Sequence, residues 1–215
     1  AIGLAAGLTG CQSGVTRAEA FESASDRAPT PRTLHMMARL LEENGRVDQA
    51  QYVLMTIIDD NPEYLPAYVE LADIQIGQKR HDQAVATLRS AHAVSPADPV
   101  IANNLGVLLL RQTDFVAASD VFRSAVKADP GEARYRANLA LALGMQGLDE
   151  DAFSVYASIL PPSEAYWNLG VIAEARSDDQ SANGYFAKAN RIREGADWND
   201  EAGFEPAVTA SVPVN

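Results

Sequence analysis

The sequence has one cysteine, three histidines and few aromatic rings, and it is poor in positive charge. A single cysteine, Cys11, cannot close an intramolecular disulfide, so cysteine usage leaves the redox compartment open. The histidines, His35, His81 and His92, lack the close helical or hairpin spacing of a ligand pair, and a metal site needs several ligands converging. No Gly-rich phosphate loop occurs. Seventeen basic residues face 29 acidic ones, a net charge of −12, with no basic cluster to offset it locally. A surface of that sign repels phosphate backbones and disfavours nucleic acid as a partner. No catalytic residue, cofactor site, metal site or small-molecule substrate is expected.

What is present is apolar and small. The apolar fraction is 47%, much of it alanine. Alanine is the best helix former and packs closely, which suits stacked helices better than a sheet. Residues Ala1–Gly10 form an uncharged run too short to span a bilayer as a helix. The run matches the apolar core of a secretory signal whose basic start is missing. It ends in Leu8-Thr9-Gly10-Cys11, which resembles the bacterial lipoprotein processing box. That resemblance implies cleavage before Cys11, lipid on Cys11 and a membrane anchor of acyl chains, each buried methylene contributing about 0.8 kcal/mol. Gln12, in place of Asp, implies export to the outer membrane of a two-membrane bacterium, facing the periplasm.

Residues 11–31 read as a tether rich in Ser, Thr, Ala and charge, with a short helix around 17–25. Residues 32–194 are helical in pattern, and 195–215 form an acidic, mostly disordered tail. The rings of Trp198 and Phe204 in that tail either fold back on the last helices or serve a partner.

The central part repeats. Pro62, Pro96 and Pro130 are spaced by 34 residues, as are Ala50, Ala84 and Ala118. Ala38, Ala72, Gly106 and Ala140 keep that spacing, with Met37, Leu71, Leu105 and Leu139 beside them. A further column holds Leu54, Leu88, Phe122 and Tyr156. Apolar residues at helical spacing, such as Leu105, Leu108 and Leu109 and then Val121, Phe122 and Ala125, give each unit two helices. A fifth unit, opened by Tyr166-Trp167-Asn168-Leu169-Gly170, arrives four residues early, because Pro161-Pro162 cuts the fourth short.

This pattern resembles the tetratricopeptide repeat family. The resemblance implies an all-α, right-handed solenoid of about five helix pairs, at residues 31–64, 65–98, 99–132, 133–162 and 163–194. It also implies that the first helix of each pair lines a concave surface that holds a protein or peptide partner. Counting along those helices places Asn103, Asn104, Val107, Leu110 and Arg111 inward in the third unit. Arg134, Asn138, Leu141 and Met145 follow in the fourth, and Trp167, Asn168 and Val171 in the fifth. Apolar side chains there supply burial and amides can bond a peptide backbone. The asparagines read equally as ligand contacts or as structural amides, and Trp167 as a partner anchor or as packing for the next helix.

The Leu-Thr-Gly-Cys start joined to a short repeat array, with Asn103-Asn104-Leu105-Gly106-Val107 and Asn138-Leu139-Ala140-Leu141-Ala142-Leu143, resembles the TadD-like lipoproteins of tight-adherence (Flp) pilus assembly. That implies a secretin or another secretion-system component as partner. An adaptor for another envelope complex, such as polysaccharide export or an envelope enzyme, and a cytoplasmic scaffold remain alternatives.

Overall fold

Ten helices account for most of residues 28–195, the part of the chain that the computed structural model describes. They run α1 (Pro31–Glu43), α2 (Val47–Asp60), α3 (Leu65–Gly77), α4 (His81–Val94) and α5 (Pro99–Arg111). Then come α6 (Phe115–Ala128), α7 (Ala133–Met145), α8 (Asp149–Ala157), α9 (Pro162–Ala175) and α10 (Asp179–Arg193). No strand occurs among the described residues. Each helix packs on the one before it, and the odd-numbered helices α5, α7 and α9 also touch one another. The result is a stack of five helical hairpins, the all-helical solenoid that the repeat spacing predicts.

Local chemistry fixes the ends of the helices. Proline takes the first position of α1, α5 and α9, where its missing N–H costs nothing. Side chains of Thr30, Asp98, Asp114 and Asp178 accept first-turn amides of α1, α5, α6 and α10. Every hairpin turns through one residue at positive φ: Gly45, Lys79, Thr113, Gly147 and Ser177. In each turn that residue's N–H bonds the carbonyl three back and the next N–H bonds the carbonyl five back, as in Thr113 to Leu110 and Asp114 to Leu109. This Schellman arrangement satisfies carbonyls that the helix end would leave bare.

Within a hairpin, small meets large. Gly106 lies under the ring of Phe122, sixteen residues later, and Gly170 under Phe186. Ala38, Ala72 and Ala140 hold the matching places before Leu54, Leu88 and Tyr156. Ala38, Leu54, Ala140 and Phe122 have no solvent exposure, and burying a side chain the size of Leu54 or Phe122 contributes about 1.5–3 kcal/mol. Between hairpins, a side chain at the end of the first helix reaches back to the preceding second helix. Gln78 accepts from Gln51, Gln112 donates to Asp82, and Gln146 donates to the carbonyl of Phe115. Arg176 does the same job with a bidentate pair to Asp149 at 2.6 and 2.9 Å.

The fourth hairpin is short. Helix α8 has nine residues where α2, α4 and α6 have fourteen, and the chain passes through Ile159 and Leu160, both buried, into Pro161-Pro162. Among the described residues, nothing covers the N-terminal edge of the stack. Leu71, Leu105 and Leu139 are almost fully buried, yet Met37 in the same column is 46% exposed, and Leu40, Tyr52 and Met55 are exposed beside it. Cys11, the signal-like residues 1–10, the region around 17–25, and Trp198 and Phe204 lie outside the described residues.

Candidate functional site

The first helices of the hairpins, α1, α3, α5, α7 and α9, carry the inward columns. Among the described residues, two cavities lie beside the first three of them. One, of 730 Å³, opens between α1, α3 and the start of α5 and is lined by residues that include His35, Arg39, Tyr64, Val69, Glu70, Asp73 and Ile101. The second, of 400 Å³, is lined by residues that include Ile76, Asn104, Val107 and Arg111. Val69 and Asp73 line both, so the two form a continuous trough.

The inward residues of the third unit do not behave alike. Asn104, Val107 and Arg111 line the second cavity. Leu110 is half-buried against the main core. Asn103 is 7% exposed, and its Oδ1 accepts from Asn138 Nδ2 at 2.8 Å. That bond ties α5 to α7, so this pair of amides is committed to the protein itself. The amides of Asn104 and Asn168 form no side-chain hydrogen bond among the described residues, and both are only partly buried. They have donors and acceptors to offer.

Further along, Leu141 and Met145 are half-buried on α7 against the Tyr156–Ile172 cluster. Arg134 is exposed at the start of α7, its guanidinium 5.4 Å from the centre of the Tyr135 ring. Val171 is 48% exposed and Trp167 40% exposed on α9. The Trp167 ring packs on Phe186 with centroids 4.8 Å apart, and the Arg193 guanidinium lies 4.9 Å from its centre. Both contacts come from α10, so Trp167 is at once packed on its neighbour helix and open on its remaining surface. Among the described residues no group of three or more His, Cys, Asp or Glu is placed to hold a metal ion, and no helix is long and apolar enough to cross a membrane.

The N-terminal half of the trough holds functional candidates that counting from the third unit onward passes over. His35 on α1 bonds Glu70 on α3 through Nε2 and Tyr64 through Nδ1, the latter at 3.2 Å. Glu42, Glu63, Asp73 and Asp98 stand around that pair. Burial raises the Asp73 carboxyl above its ordinary pKa. Burial first, and then the charges of Glu70 and Asp73, do the same to Glu42. The register held the signal. Glu70 occupies the column of Asn104 and Asn138, and Asp73 that of Val107 and Leu141.

A tetratricopeptide repeat family model matches residues 43–103 and 75–142, and a second matches 31–54, so the two together span more than half of the chain. This chain belongs to the tetratricopeptide repeat family. Among curated relatives of the repeat protein, Protein CTR9 homolog of Arabidopsis thaliana is 32% identical over 103 residues, 48% of this chain and 9% of that one. Protein O-mannosyl-transferase TMTC1 of Mus musculus is 26% identical over 137 residues, 61% of this chain and 14% of that one. The chain spans only a small part of the length of these relatives. The solved structure of YrrB, described as a TPR protein with an unusual peptide-binding site, has a TM-score of 0.60 at 18% identity. The match covers 82% of this chain and 92% of that one, and it shows the shared fold.

Proposed function

We propose that this tetratricopeptide repeat protein is a scaffold that holds a peptide segment of a partner protein along the face of its first helices. The observation that carries the reading is the trough along α1, α3 and α5, with the unspent amides of Asn104 and Asn168 and the half-open Trp167 on first helices of the third and fifth hairpins. A bound peptide brings backbone N–H and C=O groups that need partners once water is excluded, and amides answer both. Exposed valine and tryptophan beside them supply apolar burial, and a tryptophan in such a place is a common centre of binding energy. The mode is recognition of an extended or helical segment in a groove.

The same proposal places the scaffold at a bacterial cell envelope, lipid-anchored on Cys11 to the outer membrane and facing the periplasm. It rests there on the Leu8-Thr9-Gly10-Cys11 resemblance, and on the likeness to tight-adherence pilus lipoproteins for a secretin or pilus component as partner. Metabolic labelling with a palmitate analogue tests the anchor: label on the wild type and none on Cys11→Ser is expected, and equal labelling of both refutes it. Panning a displayed peptide library on the wild-type chain tests the scaffold. Enriched peptides should lose binding to Val107→Asp and Leu141→Asp at unchanged helicity. Peptides that bind all three proteins equally place the site elsewhere.

A further inference from the structure

The trough is not uniform in charge, and its N-terminal half is incomplete in a way that specifies an occupant. Five carboxylates, Glu42, Glu63, Glu70, Asp73 and Asp98, line the 730 Å³ cavity against one arginine, Arg39. Asp98 is spent on the first-turn amides of α5, and Glu70 Oε2 on His35. The side chains of Glu42, Glu63 and Asp73 have no ion-pair or hydrogen-bond partner among the described residues. Glu70 Oε1 is buried with no hydrogen-bond partner among the described residues. A buried carboxylate oxygen left without a donor is costly, and the cost is recovered when a donor arrives.

The walls between these charges are apolar. Leu65, Pro66, Val69, Val100 and Ile101 line the same space. Aliphatic wall with carboxylate rim matches the build of Lys and Arg side chains, which bury their methylene stems and keep the cationic end on polar groups. Charge-assisted bonds from such a cation to carboxylates are shorter and stronger than neutral ones. The cavity volume falls within the range of pockets that take a drug-sized ligand, and the trough continues past Val69 and Asp73 to Asn104. A point ion does not use this length, whereas an extended chain does.

We propose that the α1–α3–α5 half of the trough binds a cationic peptide segment, its Lys or Arg side chains received by Glu42, Glu70 and Asp73. This rests on the reading of the trough as a peptide-binding face and names the chemistry of its partner. It also gives the partner a direction: the basic part of the segment lies toward α1, and the uncharged part runs toward Asn104 and Val107.

The test uses the 215-residue chain and three fluorescein-labelled heptapeptides with alternating valine, differing only in whether the other positions are Arg, Gln or Glu. Fluorescence anisotropy should rank them Arg, then Gln, then Glu, with the Arg peptide at least 10-fold tighter than the Glu peptide. The Arg peptide should weaken as salt rises. The double variant Glu42→Gln/Asp73→Asn keeps shape and removes both charges. It should lose about 10-fold on the Arg peptide and little on the Gln peptide. Carbodiimide coupling of a Lys-containing peptide, read by mass spectrometry, should join it to Glu42, Glu70 or Asp73. Equal binding of the three peptides to the wild type, lost in Leu141→Asp, overturns the cationic site while the peptide-binding face stands. No binding of any peptide overturns both. Displacement of the Arg peptide by free spermidine or arginine at comparable affinity also overturns the proposal, because the site then takes a small cation and not a chain.

Discussion

Replacing Gly106 by alanine separates the packing account of this stack from a mere preference for helix. A Cβ at position 106 would lie 2.5, 2.7 and 2.8 Å from Cε1, Cζ and Cδ1 of the Phe122 ring. Carbon atoms rest at about 3.5–4.0 Å, so the ring must retreat by about 1 Å. Phe122 has no exposed surface, so its ring can retreat only against neighbouring core side chains. Overpacking of this kind costs about 1–3 kcal/mol. Alanine in mid-helix returns about 1 kcal/mol over glycine, so the net loss is up to about 2 kcal/mol. The neighbouring hairpin shows the cure, since Ala72 faces Leu88 there. Phe122→Leu alone leaves a cavity and costs about 1–2 kcal/mol. Combined with Gly106→Ala it should recover most of both losses, a coupling of about 1–3 kcal/mol in a double-mutant cycle. Urea unfolding followed by circular dichroism measures the cycle, with hydrogen exchange in α5 and α6 as a local readout. A coupling below about 0.5 kcal/mol refutes the nesting of small against large.

Two shorter tests probe the turns and the edge. Thr113 holds φ 60, a conformation that a β-branched residue adopts at a cost, so Thr113→Gly is expected to stabilise by about 0.5–1 kcal/mol, read as a higher melting temperature; a lower one shows that the threonine side chain stabilises the turn. Leu105→Ala should cost about 2–5 kcal/mol and Met37→Ala under about 1, although the two share a column, because only Leu105 is covered; equal losses in urea unfolding mean that Met37 is covered in solution.

The fold was legible because its signals are local and repeated. Small residues at 38, 72, 106, 140 and 170 mark where helices cross, and Pro161-Pro162 marks where α8 must stop. Turns at Lys79, Thr113 and Ser177 were not legible. Glycine is the usual sign of positive φ, and here three of the five hairpin turns place another residue in that conformation. The glutamines at 78, 112 and 146 repeat every 34 residues and carry bonds between hairpins, a column that helical counting had no reason to single out. At the face of the first helices, counting located Asn104 and Val107 but could not separate them from Asn103, which the α5–α7 crossing buries on Asn138. The acidic half stayed unread for a different reason: Glu70 and Asp73 gain meaning only when α1 brings His35 and Glu42 across to them, from about thirty residues away.

The two ends of the stack should respond to acid in opposite directions. In a repeat array each hairpin leans only on its neighbours, so a local change stays local. At the α8–α10 junction, the hydrogen bond from Arg176 and a second from Tyr185 hold the Asp149 carboxyl below its ordinary pKa. A folded-state pKa below the unfolded one gives stability that is present above about pH 4 and lost as pH falls through the folded value. At the α1–α3 end, Glu42 and Asp73 are raised, which has the opposite sign: their protonated forms suit the fold, and the penalty of ionising them returns as pH rises through the folded values. Lowering pH from 7 toward 4.5 should therefore slow hydrogen exchange in α1 and α3, once corrected for intrinsic rate, and leave α8–α10 unchanged. Below about pH 4, α8–α10 should open first. Asp149→Asn should abolish that second step, and Glu42→Gln/Asp73→Asn the first. Uniform exchange along the stack at every pH would mean that the array melts as one unit, and the separate chemistry of its two ends would then have no local expression.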